Sequence, residues 1–163
     1  SHLGANVIGT VGSTEKATLA EKHGCHYTIN YKDEDWVSKV MDITKGEGVP
    51  VVYDSVCHDT FEGSLACLKR LGMMVNFGQA SGPYDNFTTS MLAPKSLFLT
   101  RPTLFAYNAT RQELVNSAKA LFEVIEKGVV KISVNQTYKL ENTQQAHIDL
   151  ESRKTTGSTV LLP

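Results

Sequence analysis

Short apolar runs alternate with amphipathic stretches along most of the chain. Residues 7–11, rich in Val and Ile, predict a short buried strand, because β-branched residues suit a pleat covered on both faces. Gly12 permits a tight turn after this strand, and Ser13 predicts the N-cap of a helix over 16–22 that ends at Gly24. The segment therefore has the order strand, glycine turn, helix N-terminus, a geometry that binds anions through free backbone N–H groups.

A second strand and helix follow the first pair. The strand is predicted at 27–30, and the acidic residues Asp33 to Asp35 suit the start of the helix. Residues 45–48 break this helix before a near-continuous apolar strand at 49–54, with Pro50 tolerated near its beginning. The helix has one apolar face, made of Trp36, Val37, Val40, Met41 and Ile43.

The next unit repeats this order of elements. Apolar residues at i, i+4 and i+7 predict a helix from Phe61 through Leu68, closed by Leu71 and Gly72. Residues 73–77 then predict another buried strand, and a polar loop follows at 78–86. Ligands of open α/β sheets lie beyond such strand ends, so this loop is a candidate binding segment.

The rest of the pattern predicts two more strands, two helices and one short extended piece. The alternation of strands with helices predicts right-handed βαβ units, and hence an α/β fold with a doubly wound parallel sheet. The remaining elements are an edge strand at 97–100, a helix from the N-cap Thr110 to Gly128, an extended piece at 138–140, a helix capped by Asn142 with Ala146 and Leu150 facing inward, and a strand at 159–162.

The predicted edge strand at 97–100 is apolar. An exposed apolar edge is prone to pairing with another chain, so a homodimer joined through Leu97–Thr100 is expected.

Composition narrows the class of protein. The 163 residues fit one domain with a sizeable core. A net charge of −1 gives no electrostatic footprint for nucleic acid or an anionic membrane, and no apolar run approaches a membrane span of about 20 residues. Cys25, Cys57 and Cys67 lack metal-ligand spacing and are expected to be buried free thiols, which suits a reducing compartment and a cytoplasmic location.

The sequence predicts no catalytic residue and no metal site. It contains neither a G-x-S-x-G elbow nor an H-E-x-x-H pair, and its five histidines lack ligand spacing. The diphosphate fingerprint G-x-G-x-x-G is also absent. Asp54, at the end of a predicted strand, is either a site carboxylate or a residue that shapes the following turn through local hydrogen bonds.

The tip of the first strand lacks a carboxylate. In nucleotide-binding α/β domains an acidic residue there holds the ribose 2′-hydroxyl of NAD, and a cationic residue accommodates the 2′-phosphate of NADP. Here Gly12 and Ser13 form the tip, and Lys16 follows one turn into the helix. Lys16 is either a solvated helix lysine, beside Glu15, or an anion ligand that offsets its unfavourable position at the helix dipole, a cost of about 0.3–1 kcal/mol.

Six motifs resemble the NADPH:quinone oxidoreductases, the zinc-independent, zeta-crystallin-like branch of the medium-chain dehydrogenase/reductases. The resemblance spans essentially the whole chain, with the motifs in family order and spacing. They lie at 8–13, 29–31, 51–56, 75–78, 100–102 and 150–153.

The resemblance implies NADPH as cofactor, a quinone or similar conjugated carbonyl compound as acceptor, and a role for each of thirteen residues. Those implied around the adenosine 2′-phosphate are Gly12, Ser13, Lys16, Tyr31 and Arg153, with Val56 on the adenine–ribose side. Those implied along the nicotinamide ribose and ring are Phe77, Gly78, Gln79, Ser81, Pro102, Thr103 and Leu104.

The resemblance also implies that residues 1–163 are a truncated NADP-binding Rossmann domain. Its first strand and diphosphate loop would be missing, residues 3–5 would be the tail of a helix, and residues 142–162 would return toward an absent catalytic domain. The missing strand would lie between the strands at 7–11 and 49–54. Either a longer molecule, another segment or direct pairing of the two halves is then expected, and the isolated chain should bind NADPH poorly and catalyse nothing.

Two other functions compete with the NADPH-dependent reductase. One is a non-catalytic NADPH-binding or structural protein of the same fold, which turnover of a quinone would separate from the enzyme. The other is a methyltransferase-like α/β domain, which would need an acidic residue at the tip of the first strand, where none is present.

Overall fold

The computed structural model of the chain describes residues 1–32, 34–152 and 154–163. It divides into two compact units, Ser1–Tyr107 and Asn108–Pro163, which are considered separately. This division does not test whether residues 1–163 form one domain, so that statement stays a prediction.

The first unit begins with a parallel βαβ unit. Strand β1 (Ile8–Val11) leads through helix α1 (Thr14–Lys22) to strand β2 (Tyr27–Asn30), and Ile8 pairs with Tyr27 at the start of the ladder. Ser13 caps α1 as predicted, since its side-chain oxygen accepts from the Lys16 N–H. The helix starts two residues earlier than predicted.

Helix α2 (Trp36–Ile43) precedes a three-stranded parallel sheet. Its N-cap is Asp35, whose carboxylate accepts from the N–H groups of Val37 and Ser38; Asp33, predicted at the same terminus, lies outside the described residues. The remaining elements of the unit are strand β3 (Val49–Asp54), helix α3 (Phe61–Cys67), strand β4 (Leu68–Asn76), a 3-10 helix (Thr89–Lys95), strand β5 (Phe98–Thr100) and the short helix α4 (Leu104–Tyr107).

The sheet order is β3-β4-β5, so β5 is an edge strand. Two clusters form the core of this unit. One joins α3 to β4 and contains Cys57, Phe61, Leu65, Leu68, Met74 and Leu97. The other joins β2, α2 and α3 through Ile29, Val40 and Cys67.

The prediction that the third helix continues through Leu68 and closes at Gly72 is wrong. Helix α3 ends at Cys67, and Leu68 already has extended backbone angles, φ −74° and ψ 140°. Leu68 pairs with Val49 of β3, and the Lys95 ammonium donates to the Leu68 carbonyl at 2.7 Å. Because Leu68 is fully buried, its apolar spacing imitates a further helical turn although the chain has become a strand.

The strands are covered less completely than predicted. Val7, Ile8 and Val11 of the first strand segment are half-buried. In the second sheet, Tyr53 of β3 is 73% exposed, and Phe77, just after β4, is 52% exposed. Alternate residues of β3 and β4 therefore face the core, and the others face away from it.

Within the described part of the first unit, β1 and β2 form one sheet and β3, β4 and β5 form another. The two sheets share no hydrogen-bonded strand pair, so direct pairing of the two halves, one of the expected outcomes, does not occur among these residues. None of the described strands lies between them as a filling segment.

The second unit contains helix α5 (Arg111–Glu126), strand β6 (Val134–Lys139), helix α6 (Thr143–Glu151) and strand β7 (Ser158–Leu162). Strands β6 and β7 pair in parallel. The predicted N-cap Thr110 is confirmed, and it forms a capping box with Glu113. This reciprocal pair satisfies two backbone donors at the helix start.

Two predictions about helix α6 are confirmed only in part. Asn142 is the N-cap residue as predicted, but its side chain makes no cap hydrogen bond, because residues 140–142 form a 3-10 turn that leads directly into the helix. Ala146 is buried as predicted, whereas Leu150 is 55% exposed. Leu150 lies in the last turn of α6, where its side chain faces solvent.

None of the described helices has both the length and the apolar character needed to cross a bilayer.

Candidate functional site

The first part of the candidate site is the turn between β1 and α1. The Ser13 hydroxyl accepts from the Lys16 N–H at 3.3 Å, which fixes the first turn of α1. The Lys16 side chain is half-buried on that turn. A helix start of this kind presents backbone N–H groups and a positive dipole end to an anion.

Tyr31 lies directly beside this turn. Its N–H donates to the Val11 carbonyl at 3.1 Å, which extends the β1–β2 ladder by one residue. A Cβ atom built on Gly12 would lie 2.7 Å from the Tyr31 hydroxyl oxygen. Any side chain at position 12 would therefore displace the Tyr31 hydroxyl from the tip of β1.

Two donors at this turn have no acceptor in the part of the chain that the structure describes. Among the described residues, no hydrogen bond is made by the Tyr31 hydroxyl and no ion pair by the Lys16 ammonium. An ammonium and a phenolic hydroxyl next to a helix N-terminus are the donor types that a phosphate monoester accepts from. The residues present thus fit a phosphate group.

One carboxylate opposes that fit. Glu15 in the first turn of α1 accepts hydrogen bonds from its own backbone N–H and from the Ser13 hydroxyl, and these bonds lower its pKa below the ordinary value for Glu. The side chain is therefore an anion at neutral pH, at the same helix terminus where a phosphate would bind.

The second part of the candidate site begins at Asp54, which ends β3 and is buried. Its carboxylate accepts from the N–H groups of Val56 and Cys57 at 2.8 and 3.0 Å. The hydroxyls of Thr60 and Ser64 also donate to it, each at 2.8 Å. Of the two roles considered for Asp54, the structure supports turn formation, because its oxygens are occupied by the turn that precedes α3.

The loop after β4 is hydrogen-bonded to this turn along its length. Phe77 N–H donates to the Asp54 carbonyl at 2.9 Å, and Ala80 N–H to the Ser55 carbonyl at 3.0 Å. A Cβ on Gly78 would lie 2.5 Å from the Ser55 carbonyl oxygen, so only glycine permits this approach. The two strand-end loops, residues 54–59 and 77–82, therefore form one unit, here called the paired loops.

The Ser81 side chain adds to the paired loops. Its hydroxyl donates to the Val56 carbonyl at 2.8 Å and accepts from the Asp59 N–H at 3.1 Å. The Ser81 N–H donates to the same Val56 carbonyl at 3.0 Å. Three hydrogen bonds of one serine thus join the second loop to the first.

The segment directly after the second loop packs on helix α3. The Tyr84 ring stacks on Phe61 with centroids 4.4 Å apart and an interplanar angle of 6°. The Tyr84 hydroxyl also donates to the Glu62 carboxylate. That hydrogen bond raises the pKa of Tyr84 above its ordinary value, so the phenol keeps its proton.

The segment after β5 is the most open part of the candidate site. Pro102 is half-buried, Thr103 is exposed, and Leu104 is 72% exposed. The Thr103 hydroxyl accepts from the Ala106 N–H and so starts helix α4. The Arg101 guanidinium donates to the Asn76 carbonyl at 3.3 Å, which ties this segment to the end of β4.

The structure gathers the predicted site residues into two groups within the first unit. Gly12, Ser13, Lys16 and Tyr31 meet at the β1–β2 sheet. The strand ends and following loops of the β3–β5 sheet carry the others. That second group consists of Val56, Phe77, Gly78, Gln79, Ser81, Pro102, Thr103 and Leu104. The thirteenth residue, Arg153, lies outside the described residues.

Sequence reasoning missed the hydrogen bonds that hold the paired loops together. Thr60 and Ser64 were not singled out, although a Thr and a Ser six and ten residues after a strand-end Asp are spaced to reach back to it from the first turns of a helix. The Tyr84–Phe61 stack had no local sequence signal, since 23 positions separate the two rings.

No cluster of three or more potential metal ligands is found in the part of the chain that the structure describes. The three cysteines are free thiols; Cys57 and Cys67 are buried, and Cys25 is half-buried. Burial raises the pKa of the Cys67 thiol to about 11.

Comparison with known proteins gives consistent results. The family model for zinc-binding dehydrogenases matches residues 1–124. A quinone oxidoreductase of Pseudomonas aeruginosa is 48% identical over 162 residues, covering 99% of this chain and 50% of that protein. A 2-haloacrylate reductase of a Burkholderia species is 46% identical, covering 99% of this chain and 49% of that protein.

Solved structures agree with the sequence comparison. The Escherichia coli quinone oxidoreductase complexed with NADPH superimposes with a TM-score of 0.95 at 48% identity, over 99% of this chain and 51% of that one. The chain spans about half the length of the curated relatives it matches.

Proposed function

Because the chain belongs to the zinc-binding dehydrogenase family, we propose that the full-length protein transfers a hydride from NADPH to a quinone or a similar conjugated carbonyl compound. Support comes from relatives named quinone oxidoreductase at 48–49% identity and from a structural neighbour that binds NADPH. In this proposal the first unit supplies the cofactor-binding surface.

The contact between Tyr31 and Gly12 carries the cofactor assignment. The tip of β1 holds a phenolic hydroxyl over a glycine, with the Lys16 ammonium one helical turn away. A carboxylate for the ribose diol of NAD is missing from this position. We assign Gly12, Ser13, Lys16 and Tyr31 to the 2′-phosphate of NADPH, with Arg153 as a further ligand by resemblance.

The paired loops and the segment after β5 take the other end of the cofactor in this proposal. Val56 lines the adenine–ribose side, whereas exposed apolar side chains such as Phe77 and Leu104 exclude water near the nicotinamide. The residues assigned to the nicotinamide ribose and ring are Phe77, Gly78, Gln79, Pro102, Thr103 and Leu104; Ser81, which the resemblance also implies, is hydrogen-bonded within the paired loops.

When bound, NADPH supplies the hydride, and the chemistry of transfer belongs to the cofactor. The residues of this chain hold the 2′-phosphate, fix the strand-end loops and shield the site from water. Binding and orientation are the roles that we assign to these residues.

Cofactor selectivity tests the proposal. Lys16→Ala combined with Arg153→Ala should weaken NADPH binding by about 10² to 10⁴, since each charge-assisted contact contributes roughly 1.5–3 kcal/mol. NADH has no 2′-phosphate and should bind almost as before. Lys22→Ala, at the exposed end of the same helix, is the control, and titration of each cofactor gives the affinities.

Equal losses for NADPH and NADH would contradict the assignment of the 2′-phosphate. Turnover then separates an enzyme from a non-catalytic NADPH-binding protein. NADPH oxidation should be followed with a quinone and, separately, with a 2-haloacrylate, because one relative is named for that reaction. Absence of turnover with tight NADPH binding would favour the non-catalytic alternative.

We further propose that the protein is a homodimer joined through residues 97–100. Strand β5 is an edge strand in the first unit, and Phe98 is 55% exposed. Light scattering should give twice the mass of one chain, and Leu99→Pro should reduce the measured mass to that of one chain.

The three free thiols fit the proposed cytoplasmic location, a reducing compartment.

A further inference from the structure

We propose that Ser81 is a positioning residue: its hydroxyl sets the loop that receives the nicotinamide half of the cofactor, without itself being a ligand. This deepens the proposed function and rests on it. The resemblance alone would make Ser81 a cofactor contact, whereas the hydrogen bonds of its side chain point into the protein.

The Ser81 hydroxyl is used in both directions. It donates its only proton to the Val56 carbonyl at 2.8 Å, and it accepts from the Asp59 N–H at 3.1 Å. Because the single proton is committed to Val56, this hydroxyl has none to donate to a phosphate or ribose oxygen.

The Ser81 hydroxyl adds side-chain hydrogen bonds to the backbone hydrogen bonds that join the two loops, among them the bond from the Ser81 N–H to the Val56 carbonyl. The backbone bonds of Phe77 and Ala80 hold the start of the second loop, and His58 N–H donates to the Gly82 carbonyl at 3.1 Å beyond Ser81. Gly82 has φ +103°, so the chain turns away at that residue. Ser81 is therefore the last side chain that fastens the second loop before it turns.

The first loop is a rigid anchor for this fastening. Val56 and Cys57 donate to the buried Asp54 carboxylate, and Cys57 is held at φ +74°, a left-handed conformation that a non-glycine residue adopts only when its surroundings enforce it. The Asp54 carboxylate thus fixes the first loop, and the Ser81 hydroxyl helps to fix the second loop, which begins with Phe77 and Gly78, onto the first.

The experiment compares two ligands of different reach on the full-length protein. In this proposal NADPH extends to the second of the paired loops, whereas adenosine 2′,5′-bisphosphate reaches only Val56 of the first loop, which the Asp54 carboxylate holds independently of Ser81. Ser81→Ala should weaken NADPH binding about three- to tenfold, as expected for one or two lost hydrogen bonds. It should leave the affinity for adenosine 2′,5′-bisphosphate unchanged, which a general loss of structure would not do.

Backbone hydrogen exchange without cofactor separates positioning from direct contact. In the cofactor-free Ser81→Ala protein, the amides of Ala80 and Gly82 should exchange several-fold faster than in the parent. A residue that only touched the cofactor would leave these rates unchanged. Ser90→Ala is the matched control, since it removes a 2.8 Å hydroxyl–hydroxyl hydrogen bond with Thr88 elsewhere in the same unit.

Three results would overturn the proposal: equal weakening of both ligands, parent-like NADPH binding by Ser81→Ala, or unchanged exchange at Ala80 and Gly82. Failure of the proposed function itself has a different signature. The parent protein would then bind neither NADPH nor adenosine 2′,5′-bisphosphate, and the exchange rates would still show whether Ser81 orders the loop.

Discussion

The two groups of candidate site residues are built in opposite ways. At the paired loops, the carboxylate of Asp54 and the hydroxyl of Ser81 are occupied by the protein's own donors and acceptors. At the tip of β1, the Lys16 ammonium and the Tyr31 hydroxyl have no such partner among the described residues. These two groups of the paired loops are therefore occupied, whereas the two at the tip of β1 are unused donors.

On the proposed assignment, this difference corresponds to two tasks of a nucleotide site. A loop that must hold an uncharged ring in one orientation benefits from internal hydrogen bonds, which reduce the entropy lost on binding. A turn that must hold a doubly charged phosphate benefits from donors left free, because the charge-assisted bonds form only with the ligand. In the proposal, the paired loops govern the orientation of the cofactor, and the tip of β1 governs which cofactor binds.

The largest expected effect comes from removing the anchor of the paired loops. Asp54→Ala should lower the free energy of unfolding by about 3 kcal/mol, since the N–H groups of Val56 and Cys57 would lose their acceptor in a buried position. Urea unfolding measures the change.

The exposed Asp59, which pairs with His58 at the surface, provides the control for that measurement. Asp59→Ala should change stability by no more than about 0.5 kcal/mol. Similar losses for Asp54→Ala and Asp59→Ala would mean that the paired loops are not held by Asp54.

A carboxylate at the tip of β1 should have the next largest effect. Gly12→Asp should weaken NADPH binding about tenfold or more, because the new side chain displaces the Tyr31 hydroxyl and repels the phosphate. Gly12→Ala adds only the steric conflict with the Tyr31 hydroxyl and should weaken NADPH binding less. Isothermal titration of both variants with NADPH and NADH gives the affinities. If Gly12→Asp weakens NADPH and NADH binding equally, repulsion of the 2′-phosphate is not the cause.

The smallest effect is expected at Glu15, and it is a gain. Its pKa is held below the ordinary value by bonds to its own N–H and to Ser13, so the carboxylate stays ionised throughout the neutral pH range. Glu15→Gln should therefore tighten NADPH binding about two- to fivefold, more at low salt.

Glu47→Gln is the control for Glu15→Gln, because it removes an exposed carboxylate far along the chain from the tip of β1. If Glu15→Gln leaves NADPH binding as it was at low salt, the carboxylate does not compete with the phosphate.

Local signals predicted several elements of both units well. The strands Tyr27–Asn30 and Val49–Asp54 have the predicted bounds, and Ser13 and Thr110 cap the predicted helices, because capping depends on residue type over a few positions. The end of helix α3 was missed, since Leu68 is buried by pairing with Val49 and by Lys95, both distant in sequence.

The site was less accessible from sequence than the elements. The hydrogen bonds of the paired loops join residues 22 to 25 positions apart, and no local pattern encodes them. The Tyr31 hydroxyl reaches Gly12 only because the β1–β2 register places Asn30 beside Val11. The motifs that resemble a known family named these residues, but their contacts required the fold.

Hydrogen exchange with and without NADPH tests the contrast between the two groups most directly. In the cofactor-free protein, the amides of Ala80 and Ser81 should already be protected, and those of Thr14 and Glu15 should exchange fast. Adding NADPH should slow exchange strongly at Thr14 and Glu15 and change it little at Ala80 and Ser81. Fast exchange at Ala80 and Ser81 that only NADPH suppresses would contradict a preformed pair of loops and with it the central claim.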